Sequence, residues 1–210
     1  MENRQENRYT ALAVISCICL VASNLFETKI FPAGPLTLTG GFLIFPISYI
    51  INDCLTEIYG LRRARFVILL SFAVNAAFVG VAQLVRILPC TDYCAAQPHL
   101  DYLFAADLRI TLASMAAFVC GSLTNSLVMD RMKRKQGVKG FGWRAVLSSL
   151  AGEGVDSLIF FPIAFRGIGM KNIAVIMLTQ IALKVLYEVI VLPITAAYVR
   201  RIRNENNTTL

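Results

Sequence analysis

Six apolar blocks separated by short polar joints leave this chain few ways to fold. They run about Tyr9–Phe26, Gly40–Tyr59, Ala64–Leu88, Asp107–Met129, Ala145–Phe165 and Asn172–Val199. Each holds roughly 18–28 residues, enough at about 1.5 Å per residue to cross a hydrocarbon core about 30 Å thick. The apolar residues come in runs rather than in one helical stripe, which suits lipid and not a water-facing surface. Only 16% of the 210 residues are charged, against roughly a quarter in soluble domains. The sequence therefore predicts an all-α integral membrane protein with six transmembrane helices. Residues 1–8 and 200–210 read as tails of a single 9–199 domain, with 204–210 polar and disordered. The first block reads as a retained helix, because Ala22-Ser23-Asn24-Leu25-Phe26 is a weak cleavage site and five more blocks follow.

Charge fixes an expected topology. Fourteen of the twenty lysines and arginines fall in the two tails, the Arg62–Arg65 turn and the 131–144 loop. Five (Lys29, Arg86, Arg109, Arg166 and Lys171) fall on the other side, and Lys184 lies within the last block. That asymmetry predicts a bacterial inner-membrane protein with both termini in the cytoplasm. The net charge of +7 sits in short joints, so it reads as a topology signal, and nucleic acid is not an expected partner. No Walker loop or nucleotide fingerprint occurs, so the chain carries no ATPase of its own.

The informative residues are the ionisable ones inside the blocks. A carboxylate in lipid is costly unless it faces a cavity or a partner. Asp53 and Glu57 end the second block one helical turn apart, just before Tyr59-Gly60 and three arginines. Glu153 and Asp156 share a face of the fifth block, and Gly152 and Gly154 flank Glu153, allowing close approach by a helix or a ligand. Lys184 and Glu188 share a face of the sixth, with Gln180 a turn earlier. Asn75, Gln83 and Asn125 add neutral polar groups. Counted from the flanking arginines, Asp53, Glu153, Asp156 and Glu188 lie on the order of 13–18 Å from the cytoplasmic edge, near the midplane. Lys184 is expected to pair with Glu188 or Asp156. Five carboxylates facing one ammonium leave spare acceptors, which suit a cation or a ligand rich in N–H donors, held where secondary transporters hold substrate.

Other chemistry has weaker support. The single histidine, His99, lies in a polar loop with Cys90 and Cys94, too few ligands for a structural zinc site. Free thiols or a Cys90–Cys94 disulfide are the readings there, and no metal or cofactor is expected. No Ser–Lys or Cys–His arrangement occurs in the blocks, so no catalytic residue is assigned. The segment Lys29–Thr39, with two prolines, reads either as a connector or as a re-entrant lining piece. A non-transporting assembly or sensor protein is the alternative function, an intramembrane enzyme a more distant one.

Several stretches carry a family likeness. They are Ser23-Asn24 with Lys29, Pro46-Ile-Ser-Tyr-Ile-Ile-Asn-Asp53, Thr56-Glu57-Ile-Tyr-Gly60 with Arg63-Ala64-Arg65, Gly154-Val-Asp156 through Phe165, and Lys184-Val-Leu-Tyr-Glu188 with Pro193. Together they resemble the queuosine precursor transporters, six-helix proteins of the vitamin-uptake type. The resemblance implies import of 7-cyano- and 7-aminomethyl-7-deazaguanine across the inner membrane. It also implies a fold like the substrate-binding component of energy-coupling-factor transporters. A deazaguanine presents adjacent N1–H and 2-amino donors, which one carboxylate can accept as a pair. Glu153 or Asp156 is the candidate, with Lys184 or Asn125 donating to the 6-carbonyl. Asp53 or Glu57 would hold the aminomethyl cation, and Glu188 lies at the same level. Phe45, Tyr49 and Phe160 are candidates for stacking on the ring. Glu57, paired to an arginine of the neighbouring cluster such as Arg65, would gate the inner mouth, leaving Asp53 to the cavity. Membrane lipid is the surrounding partner, and a homodimer or a recruited ATPase stays open.

Overall fold

The computed structural model describes residues 2–26, 29–33, 36–91, 95–104, 108–137, 140–164 and 170–207. Helix α1 spans Glu2–Phe26. Strands β1 (Ile30–Ala33) and β2 (Leu36–Thr39) form a two-stranded antiparallel hairpin in which Phe31 pairs with Leu38 and Pro32 with Thr37. A 3₁₀ turn, Gly40–Leu43, leads into α2 (Phe45–Tyr59) and then α3 (Leu61–Ile87). The short α4 (Gln97–Phe104) precedes α5 (Leu108–Gln136), α6 (Phe141–Ala164) and α7 (Met170–Asn207). Among the described residues, six helices are long and apolar enough to cross a membrane.

The expected helices are all present, with three differences. The 29–39 segment is a hairpin rather than a plain connector; its Leu-Thr-Leu-Thr alternation suits a strand. The polar 89–106 loop contains α4, which is tied down by Gln97 Nε2 donating to Arg86 O at 3.0 Å and Gln83 Nε2 donating to Phe104 O at 2.6 Å. Helix α7 continues to Asn207, through residues expected to be disordered. Its end is anchored where Arg8 of α1 meets Glu205 at 2.7 Å. Cys90 is disulfide-bonded; Cys94 lies outside the described residues, and so does the expected bridge between them. Arg109, Lys139 and Arg166, counted in the topology, likewise have no described side chains.

Pro46 opens α2, where its missing N–H costs nothing. Gly60, at φ 84°, joins α2 to α3 in a conformation that side chains disfavour. Three apolar clusters hold the bundle. Ala13, Ile51, Leu55, Ala64 and Val67 join α1, α2 and α3. Leu20, Ile68 and Phe118 bring in α5. Cys54, Met129, Phe141, Ala145 and Val199 join α2, α5, α6 and α7.

The distribution of polarity is inverted relative to a soluble protein. Leu69, Val81, Leu84, Leu158, Ile190 and Ile194 are exposed, whereas Asn52, Asp53, Thr56, Glu57, Ser122, Asn125, Ser126, Arg144, Ser148 and Glu153 are buried. Exposed aliphatic surface on six long helices belongs in lipid. The buried polar residues repeat at helical spacing: 48, 49, 52, 53, 56 and 57 on α2; 122, 125 and 126 on α5; 144, 148, 149, 153, 156 and 157 on α6. They form three stripes that face one another along the bundle interior.

Candidate functional site

A cavity of about 170 Å³ enters the bundle from the face opposite the termini. Its walls are Ser23 and Asn24 at the end of α1, Thr39 and Phe42 beyond the hairpin, Phe45 at the start of α2, and Ser114 of α5. Phe160 and Phe161 of α6 and Ile176 and Gln180 of α7 complete them. Asp156 and Lys184 also line it. Lys184 Nζ lies 2.8 Å from Glu153 Oε2 and 3.8 Å from Asp156 Oδ2, and it stands 4.1 Å over the Phe45 ring. One ammonium is thus shared by two carboxylates and an aromatic face, with the Asp156 contact the longer of the two.

Below this group lies a second polar level. Asp53 Oδ1 accepts from Asn125 Nδ2 at 2.9 Å and from Ser148 Oγ at 3.4 Å. The Glu188 carboxyl faces Asp53 from α7. A third level follows at the terminal face. Glu57 Oε1 takes Arg144 Nη2 at 2.8 Å, with both side chains wholly buried. Arg203 of α7 reaches the same oxygen. Lys133 Nζ donates to the Glu57 carbonyl, and Arg144 Nη1 to the Gly137 carbonyl at 2.8 Å. Four helices (α2, α5, α6 and α7) and the α5–α6 turn are therefore fastened together around one glutamate.

The "Putative vitamin uptake transporter" family matches residues 39–198, which include every buried carboxylate of the three levels but not Ser23, Asn24 or Arg203. The chain belongs to this family. It is 30% identical over 128 residues to a "Probable queuosine precursor transporter" of Haemophilus influenzae, covering 60% of this chain and 52% of that relative. It is 25% identical over 191 residues to a protein of the same description from Bacillus subtilis, covering 90% of this chain and 83% of that one. The chain thus spans about half the length of the first relative and most of the second. No solved structure matches significantly. The family expected from the sequence is the one found.

Within this geometry the expected site residues divide among the levels. Asp156, Lys184, Phe45 and Phe160 line the cavity, and Glu153 lies against it through Lys184. Asp53, Asn125 and Glu188 do not line it; they meet one level deeper. Lys184 meets Asp156, one of its two expected partners, at 3.8 Å, but its nearer partner is Glu153 at 2.8 Å rather than Glu188. Tyr49 is not at the cavity wall either. It is 1% exposed and packs on the glycines of α5 and α6: a Cβ at Gly121 would stand 2.5 Å from Tyr49 Oη, and one at Gly152 2.8 Å from Tyr49 Cε1. The two glycines beside Glu153 are therefore unlike. Gly152 admits a neighbouring helix, while a Cβ at Gly154 would meet open space.

The gate needs a correction. Arg65 is exposed, and the partners of Glu57 are Arg144 and Arg203. The Gly60 turn reverses the chain, so α3 carries Arg65 to the outside while α6 and α7 bring their arginines inward. Arg144 and Arg203 were legible only as topology charges. Phe42 and Ser114 gave no signal; each is an ordinary residue of an apolar block.

Proposed function

We propose that this transporter imports queuosine precursors, 7-cyano- and 7-aminomethyl-7-deazaguanine, across the bacterial inner membrane with both termini in the cytoplasm. The observation that carries the reading is the Asp156–Lys184 pair on the cavity wall, beside aromatic rings. A planar base with N1–H and 2-amino donors matches a carboxylate acceptor. Its 6-carbonyl matches the Lys184 ammonium, which is already 3.8 Å from Asp156. Phe45 and Phe160 supply faces for the ring. Asp156 is the chosen acceptor because Glu153 holds Lys184 at 2.8 Å and so acts as its support.

The levels suit alternating access. The cavity opens on one face, and the Glu57–Arg144–Arg203 cluster closes the other. Between them the α2, α5 and α6 stripes leave Asn52, Thr56, Ser122 and Ser126 with buried polar atoms that meet no hydrogen-bond partner among the described residues. Such groups cost free energy when dry and would be hydrated if the helices parted. They read as the inner half of a path, closed in this conformation. The charge asymmetry supports a cytoplasmic terminal face, which makes the cavity outward-facing, the state that receives an imported substrate. The test is uptake by cells unable to make the precursor. Asp156→Asn and Lys184→Met should lose uptake while remaining in the membrane; normal uptake in both would remove this cavity from the reading.

A further inference from the structure

The second polar level has a feature that substrate recognition does not use. Asp53 and Glu188 face each other across α2 and α7, 1% and 4% exposed. Asp53 Oδ2 and Glu188 Oε1 are buried and meet no donor among the described residues. The Ser149 hydroxyl, 1% exposed and with no other partner among those residues, is aimed at Glu188. Other polar groups that face the pair are Asn125 of α5, Ser148 and Glu153 of α6, and Cys54 of α2 itself. The core cations are engaged elsewhere: Arg144 and Arg203 with Glu57, and Lys184 with Glu153. Two ionised carboxylates do not persist face to face in such a place, whereas one shared proton satisfies both.

We propose that Asp53 and Glu188 form a proton-binding site, separate from the substrate cavity, that couples transport to the proton gradient. The position explains the coupling. Glu57 and Arg203 fasten α2 to α7 one level below, and Phe45 and Lys184 of the same two helices meet at the cavity. Opening the terminal face must part α2 from α7, and that separates the two carboxyls and wets them. A proton held between them favours the closed seam, and its release favours the open one. By linkage, a difference in proton affinity between the two states biases the conformational equilibrium by the same amount.

The coupling rests on the import reading, so two measurements are needed. The first uses no substrate. Infrared difference titration of the purified full-length protein should reveal a protonated-carboxyl band that disappears in both Asp53→Asn and Glu188→Gln. A wild-type spectrum without that band overturns the proton site whatever the substrate is. The second uses reconstituted vesicles and labelled 7-cyano-7-deazaguanine. One pH unit, alkaline inside, should raise the wild-type plateau up to about tenfold, the limit for one proton. Glu188→Gln should reach the same plateau with and without the gradient. A wild-type plateau indifferent to pH, or dependent on sodium instead, overturns the coupling. If the band is present and the labelled base does not enter, the substrate assignment fails and the proton site stands.

Discussion

Lys184 Nζ lies 2.8 Å from Glu153 Oε2 and 4.1 Å from the centre of the Phe45 ring, so one cation ties α7 to α6 and to α2 at the inner end of the cavity. Breaking such a pair by removing one partner leaves a buried charge and typically costs about 3–5 kcal/mol. Glu153→Ala should therefore lower thermal stability in detergent. The double change Glu153→Gln with Lys184→Met should recover much of it, since no unpaired charge remains between those two positions. Substrate uptake should stay lost in the double variant, because the cavity then has no ammonium. A melting series on purified protein, beside uptake, separates the two effects.

The Phe45 face gives a smaller and more selective effect. A cation over an aromatic ring contributes about 0.5–2 kcal/mol. Phe45→Leu keeps the apolar volume and removes the ring face. It should raise KM for the deazaguanine by several-fold and leave the melting temperature within a few degrees. Unchanged KM would place the ring outside recognition.

The lock at the terminal face can be read with a native reporter. Cys54 is buried among Met129, Phe141, Ala145 and Val199, one turn from Glu57. With the other cysteines replaced by serine, Cys54 should label slowly with a membrane-impermeant maleimide in inside-out vesicles. Glu57→Gln weakens its ion pairs with both arginines and should speed labelling by about tenfold or more, the equivalent of roughly 1.4 kcal/mol. Arg65→Ala should change nothing, because that side chain is exposed.

Helix packing supplies a fourth test. Gly121→Ala would place a Cβ 2.5 Å from Tyr49 Oη and 2.9 Å from the Gly152 carbonyl. Overpacking of that kind costs typically about 1–3 kcal/mol. Gly154→Ala, which meets nothing within 4 Å, is the matched control and should be neutral or mildly stabilising. Equal melting temperatures for the two variants would contradict the close approach of α5 and α6 at Tyr49.

These residues also mark what could be read from the chain alone. The six spans and the intramembrane acids were legible because an apolar run constrains depth, and depth needs only the rise per residue. Pairing across helices was legible only in part: Lys184 does meet Asp156, but pairing depends on how each helix is rotated about its axis. Lys184 therefore shares its own helix with Glu188 yet bonds to Glu153. Arg144 counted as a loop charge, although α6 begins at Phe141 and carries it inward. The hairpin was hidden for a different reason: its strands have only four residues each, too few for a period to stand out beside two prolines.

The most direct measurement is uptake of labelled 7-cyano-7-deazaguanine into vesicles holding the purified protein. The predicted result is saturable uptake, competed by the unlabelled 7-aminomethyl compound, and lowered about tenfold or more by Asp156→Asn, in keeping with loss of charge-assisted hydrogen bonds. Uptake no faster than into empty vesicles, or equally fast with Asp156→Asn, would contradict it.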